Sequence, residues 1–188
     1  MRRKYIKLHY NSPVVLTFAL VSFCVLLLDY FTDGASTYKY FSVYQAPLNQ
    51  FWTYPRFVLH VLGHNGYTHY INNMMMILVI GPPLEEKYGS RPLLYAICLT
   101  ALVSGMVHFL FFPNTALLGA SGIVFMMIAM SSLAGMKDGS IPITLILVLT
   151  LYIGGEIING FVLQDNVSQI THIIGGICGA LLGLSMRK

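Results

Sequence analysis

Charge is what this chain has least of. Eleven Lys and Arg and seven Asp and Glu make up 10% of its 188 residues, against roughly 25% in an ordinary soluble domain. That scarcity excludes a charge-solvated soluble fold. With 56% hydrophobic residues and a mean hydropathy of +0.69, the composition is that of an integral membrane protein. Cysteine is nearly missing as well: Cys24, Cys98 and Cys178 all lie inside apolar runs. An odd number without CxxC spacing excludes a disulfide framework and a cysteine metal site. Internal repeats and low-complexity tracts are lacking, which removes the inverted-repeat plan of many transporters. The net charge of +4 sits in short basic clusters flanking apolar runs, the place of topology determinants, and leaves no patch for nucleic acid.

What is present is a series of apolar runs. Runs and breakers predict six spans, at about 13–30, 67–84, 92–112, 119–136, 141–161 and 168–186, each near the roughly 20 residues that cross a bilayer. The expected fold is an all-α membrane protein, a six-helix bundle forming one domain over 1–188 with a short cytoplasmic tail at 1–12. Arg2, Arg3, Lys4 and Lys7 before the first run also suit a signal peptide. Gly34-Ala35-Ser36 supports cleavage only weakly, so the run is read as a retained span.

Nine of the eleven basic residues fall on one side of these spans, at the N-terminus, Lys87, Arg91, Lys137, Arg187 and Lys188; Lys39 and Arg56 alone fall on the other. The positive-inside rule then predicts N-in, C-in topology. Spans two, four and six run from outside to inside on that plan, which brings His69, Ser121 and His172 near one depth. The first connection, about 31–66, is rich in aromatics from Tyr38 to Phe57, the residues that settle at membrane interfaces. It reads equally as a functional flap and as an interfacial anchor.

The polar residues within the apolar runs carry the chemical reading. Leu118-Gly119-Ala120-Ser121-Gly122 interrupts two apolar stretches. A serine between glycines at a helix entry suits close approach of a substrate backbone, although small-residue clusters in membrane segments usually serve helix packing. His69 and Asn73 are four apart and share a helix face; they suit interhelical hydrogen bonds or a common site. His172 precedes Gly175, Gly179 and Gly183, a four-residue stripe that lets helices approach closely. If spans four and six pack together, His172 meets Ser121. A serine hydroxyl needs a base within about 2.6–3.2 Å to become a nucleophile, and imidazole suits that task near neutral pH. The Ser121 amide, His69 and Asn73 are candidate donors for the oxyanion. Nucleophile, base and donors at one depth describe an acyl-transfer site.

These residues also form an ordered set: Trp52 and Arg56 in the first connection; His64, His69 and Asn73 at span two; Gly81, Glu85 and Gly89 after it; the GASG of 119–122; and His172, Gly175, Gly176 and Gly179. In this order the chain resembles the rhomboid family of intramembrane serine proteases. The resemblance implies a six-helix fold with a water-accessible site below the outer membrane surface. It implies Ser121 as nucleophile, His172 as base without an acidic third member, and His69 and Asn73 as oxyanion stabilisers. It implies that Phe125 packs against the base, where several relatives have tyrosine, and that Gly119 and Gly122 keep side chains away from the serine. The expected substrate is a transmembrane protein segment in the bilayer, with no cofactor and no metal, and the minimal form fits a bacterial inner membrane. The alternative is a non-catalytic rhomboid-like protein that binds membrane clients. Glu85 is expected to bond backbone groups in the inner loop, as its family counterpart does, and His60 and His64 to be structural. His108 has no named partner, Glu156 no clear role, and Asp165 reads as a solvated loop residue.

Overall fold

The structure, a computed structural model, describes residues 9–134 and 166–186 together with the helical positions 143, 146, 147 and 150. Most of the fifth predicted span, with Lys137, Glu156 and Asp165, lies outside the described residues, as do the N-terminal basic cluster and the Arg187-Lys188 end. The described elements are helical: α1 Pro13–Phe31, α2 Ala35–Tyr40, α3 Thr53–Leu59, a 3-10 turn His60–Leu62, α4 Gly66–Tyr88, α5 Ser90–Phe111, α6 Ser121–Ala134 and α7 Asn166–Ser185. By length and hydropathy α1 and α5 suffice to cross a bilayer, while α6 and Gln169–Ser185 are shorter apolar helices.

Each long helix starts and stops for a local reason. Proline opens α1, where its missing N–H is not needed. The α1 entry lacks a side-chain cap from Ser12; instead the Glu85 carboxylate accepts from the Val14 and Val15 amides at 3.0 Å each and from Ser90 Oγ at 2.7 Å. This agrees with the expectation that Glu85 bonds backbone groups and names them as the first turn of α1. At its C-terminal end α1 turns through Asp33 and Gly34, both at positive φ. Helix α4 runs on to Tyr88, past the expected end at 84, with Pro82 and Pro83 inside it. There Gly81 packs against Val15: a Cβ on it would stand 2.6 Å from a valine methyl.

Helix α6 is central, packed against α4, α5 and most extensively α7. Its residues from Gly122 to Met130 are buried apart from Phe125. Large apolar side chains of α1, α5 and α7, among them Leu20, Leu102 and Leu181, face outward, while Ser22, Thr100 and Ser104 are buried. An apolar exterior around a partly polar interior is the pattern of helices bathed in lipid, where burial of small polar groups joins helices together.

The first connection, read from sequence as a functional flap or an interfacial anchor, holds α2, α3 and the 3-10 turn. Tyr38 stacks on Tyr44, and the Arg56 guanidinium lies over the Tyr44 ring at 4.2 Å while its Nε donates to the Trp52 carbonyl at 2.8 Å. Arg56 is only 2% exposed, so the π face of tyrosine offsets part of a buried charge.

Candidate active site

Ser121 is the first residue of α6, and the loop before it is held in place by the first connection. Val43 and Leu117 exchange two backbone hydrogen bonds of 2.8 Å as an isolated antiparallel bridge, and the Gly119 amide donates to the His60 carbonyl at 2.9 Å. From the other side His108 Nε2 donates to the Thr115 carbonyl at 3.1 Å. The first connection is thus fastened to this loop by backbone bonds, a scaffold beneath the site in addition to any interfacial role.

Gly119 has φ +118, and a Cβ there would stand 2.8 Å from His69 Cε1 and 2.9 Å from Nε2. Both facts require glycine: the dihedral disfavours L side chains, and the imidazole occupies the space one would fill. The Asn65 amide donates to His69 Nδ1 at 3.2 Å. An accepting Nδ1 leaves the proton of the neutral ring on Nε2, the nitrogen beside Gly119. Asn73 is buried, and its Nδ2 donates to the His69 carbonyl at 3.1 Å. That bond uses one of two amide hydrogens and ties Asn73 to the histidine one turn earlier.

The seam between α6 and α7 is built from glycine. A Cβ on Gly175 would run into the Gly122 carbonyl, one on Gly179 into the Met126 carbonyl, and one on Gly183 would lie 3.0 Å from Leu133. Gly122 in turn faces the Thr171 methyl, 3.1 Å from where its Cβ would be. The four-residue stripe therefore brings two backbones into contact. One turn further on, the Phe125 and His172 rings stack at 4.2 Å with 6° between their planes. The contacts of Gly122 and Phe125 level the first turn of α6, with half-buried Ser121 at its head, with half-buried His172.

Of the residues named from sequence, His69 lies against Gly119 and is bonded by Asn73, and His172 stacks on Phe125, so the contacts fall on either side of Ser121 along the chain. Sequence reasoning took His60 as structural without naming its partners and named none for His108; the one accepts the Gly119 amide through its carbonyl and the other donates to the Thr115 carbonyl. The available signal was an imidazole inside an apolar run, costly unless paired. His60 and His64 are buried, each donating through one ring nitrogen, to the Ala101 and Leu62 carbonyls at 3.1 Å. Burial, against the partial support of those bonds, lowers the pKa of each from the ordinary 6.5 to about 4; nearby His108 adds to the effect at His60 and His69 at His64.

Comparison with known proteins identifies the family. Residues 49–188 match the rhomboid domain. The chain is 27% identical over 148 residues to rhomboid-like protein 11, chloroplastic, of Arabidopsis thaliana, covering 71% of this chain and 52% of that protein. It is 30% identical over 138 residues to rhomboid-related protein 1 of Caenorhabditis elegans, covering 68% and 38%. With rhomboid-related protein 2 of Mus musculus it shares 26% identity over 144 residues, covering 70% and 47%. The matches therefore span about half or less of these relatives' lengths.

Proposed function

The chain belongs to the rhomboid family, and from that premise we propose that it is an intramembrane serine endopeptidase cleaving peptide bonds in or beside the transmembrane segments of membrane proteins. The family contains both active intramembrane proteases and inactive members, so the site residues decide between them. The observation that carries the reading is the convergence on Gly119–Gly122: His69 against Gly119, and His172 stacked on Phe125 one turn below Ser121.

In this mechanism Ser121 Oγ attacks the scissile carbonyl carbon and His172 accepts its proton. The carbonyl oxygen gains negative charge, met by the Ser121 amide at the unpaired first turn of α6, by His69 Nε2–H and by the second amide hydrogen of Asn73. The intermediate collapses, the C–N bond breaks, and His172 returns the proton to the leaving amine. Water then repeats the sequence on the acyl-enzyme and releases the new carboxyl terminus. Stacking on Phe125 takes the orienting place that a carboxylate holds in a triad. A substrate helix must unwind before its carbonyl is reachable, so segments containing small or helix-breaking residues are preferred. The reading includes six spans in a single domain with both ends inside, in a bacterial inner membrane.

The test is covalent labelling of the purified chain by a fluorophosphonate, alongside cleavage of a reconstituted transmembrane substrate. Both are expected in the wild type and lost in folded Ser121→Ala. Labelling and cleavage that persist in Ser121→Ala overturn the assignment, and a folded wild type that does neither points to the client-binding alternative.

A further inference from the structure

We propose that His64 is a positioning residue, holding the His69 ring in the orientation from which Nε2–H reaches the oxyanion; the inference rests on the proteolytic reading above. His64 lies between the 3-10 turn and α4 and is 1% exposed. Its Nδ1–H donates to the Leu62 carbonyl at 3.1 Å, which sets the rotation of the ring. So held, it meets the His69 ring edge-on, with centroids 5.2 Å apart and 68° between planes, and the Tyr70 ring at 5.5 Å and 85°. Tyr70 is itself anchored across the bundle, its hydroxyl donating to the Ala19 carbonyl of α1 at 3.1 Å.

The surroundings of His69 explain why this contact matters. The backbone contributes the Asn65 amide at Nδ1 and the Gly119 surface beside Nε2. Neither prevents the ring from tilting, because a single hydrogen bond tolerates a broad range of angles. His64 adds a side-chain wall, tied through Leu62 to the 3-10 turn. Burial, and secondarily the charge that His69 could carry, keep His64 uncharged at neutral pH, so it acts through shape and not as a second cation. An oxyanion donor displaced by a fraction of an ångström loses much of its effect, since preorganisation is what makes such donors strong.

The readout is the second-order rate of Ser121 modification by a small fluorophosphonate in the full chain, in detergent, which requires oxyanion stabilisation but no natural substrate. His64→Ala is expected to lower this rate by about tenfold, within the usual range of coupling between contacting residues. In a His69→Ala background the same substitution should change the rate by less than about twofold, because the donor it positions is gone. His64→Phe, which keeps the ring wall but loses the bond that sets its rotation, should recover part of the wild-type rate. If His64→Ala fails to fold, His64→Asn, which can keep the bond but lacks the ring, takes its place in the cycle. Equal losses in both backgrounds, no loss in the first, or no recovery by His64→Phe overturns the positioning role while leaving the protease reading intact. A folded wild type with no modification at Ser121 removes the protease reading and this inference with it.

Discussion

The α6–α7 seam and the first connection meet around the same loop yet are held together by opposite means. In the seam, contact comes from what is missing: Gly122, Gly175 and Gly179 let backbone lie on backbone, and Met126 and Leu133 fill the remaining space. In the first connection, contact comes from directed bonds: the Val43–Leu117 bridge, the Gly119 amide on the His60 carbonyl, and Arg56 on Tyr44 and Trp52. A packed glycine seam resists a change of distance but has little to say about the angle of a side chain. A bonded loop does the reverse. On the proposed mechanism the nucleophile and base, which need a set separation, ride on the seam. The oxyanion groups, which need a set direction, are held from the connection.

The comparison can be broken most decisively at the seam's own cargo. Ser121→Ala and His172→Ala should each lower turnover by about 10⁴-fold or more while the protein remains folded; substrate cleavage measured against circular dichroism checks this. The directed side should show smaller losses. His69→Ala is expected to reduce turnover by about 100- to 1,000-fold, and Asn73→Ala by less, since its amide also serves the His69 carbonyl. Complete loss in folded Asn73→Ala would erase the division between the two regions.

Stability sharpens the contrast further. Gly175→Val places atoms where the Gly122 carbonyl lies, and overpacking of this kind costs about 1–3 kcal/mol, read as a lower thermal midpoint together with lost activity. Acid should act on the first connection instead. His60 and His64 have folded pKa values of about 4, below the ordinary 6.5, so their contribution is complete above pH 6.5 and is lost as pH falls toward 4, where only the unfolded rings take up protons. By pH 5 that loss is about 2 kcal/mol for each ring, and replacing either histidine with an uncharged residue should flatten the pH dependence of thermal unfolding. The smallest effect is Arg56→Lys: it loses the planar stack on Tyr44 and the Nε bond, at about 1 kcal/mol, with turnover little changed.

The helices were largely legible because a bilayer imposes length and hydropathy on them. The expected spans at 13–30, 67–84, 92–112 and 119–136 correspond to α1, α4, α5 and α6, and 168–186 corresponds to α7. The end of α4 was set too early: the expected span stops at 84, yet the helix continues to Tyr88, its end fastened by Glu85 and by Lys87 donating to the Ala134 carbonyl. The residues around Ser121 were legible as types and spacings. Their supports were legible only in part: His60 and His108 meet the loop through backbone amides and carbonyls that every residue possesses, and no letter marks which one is used. The short helices of the first connection escaped for a related reason: six or seven residues are too few to display a period.

The carboxylate of Glu85 also has a bearing on biogenesis. The acid reaches its native partners only when the chain seventy residues earlier has already turned into a helix beside it, since two of its three donors are the Val14 and Val15 amides. A span-two helix that arrived alone would carry that charge into the bundle with a single hydroxyl for company. The first two long helices are therefore expected to settle as a pair. A deletion reaching Val14 would strand a charge at the far end of another helix.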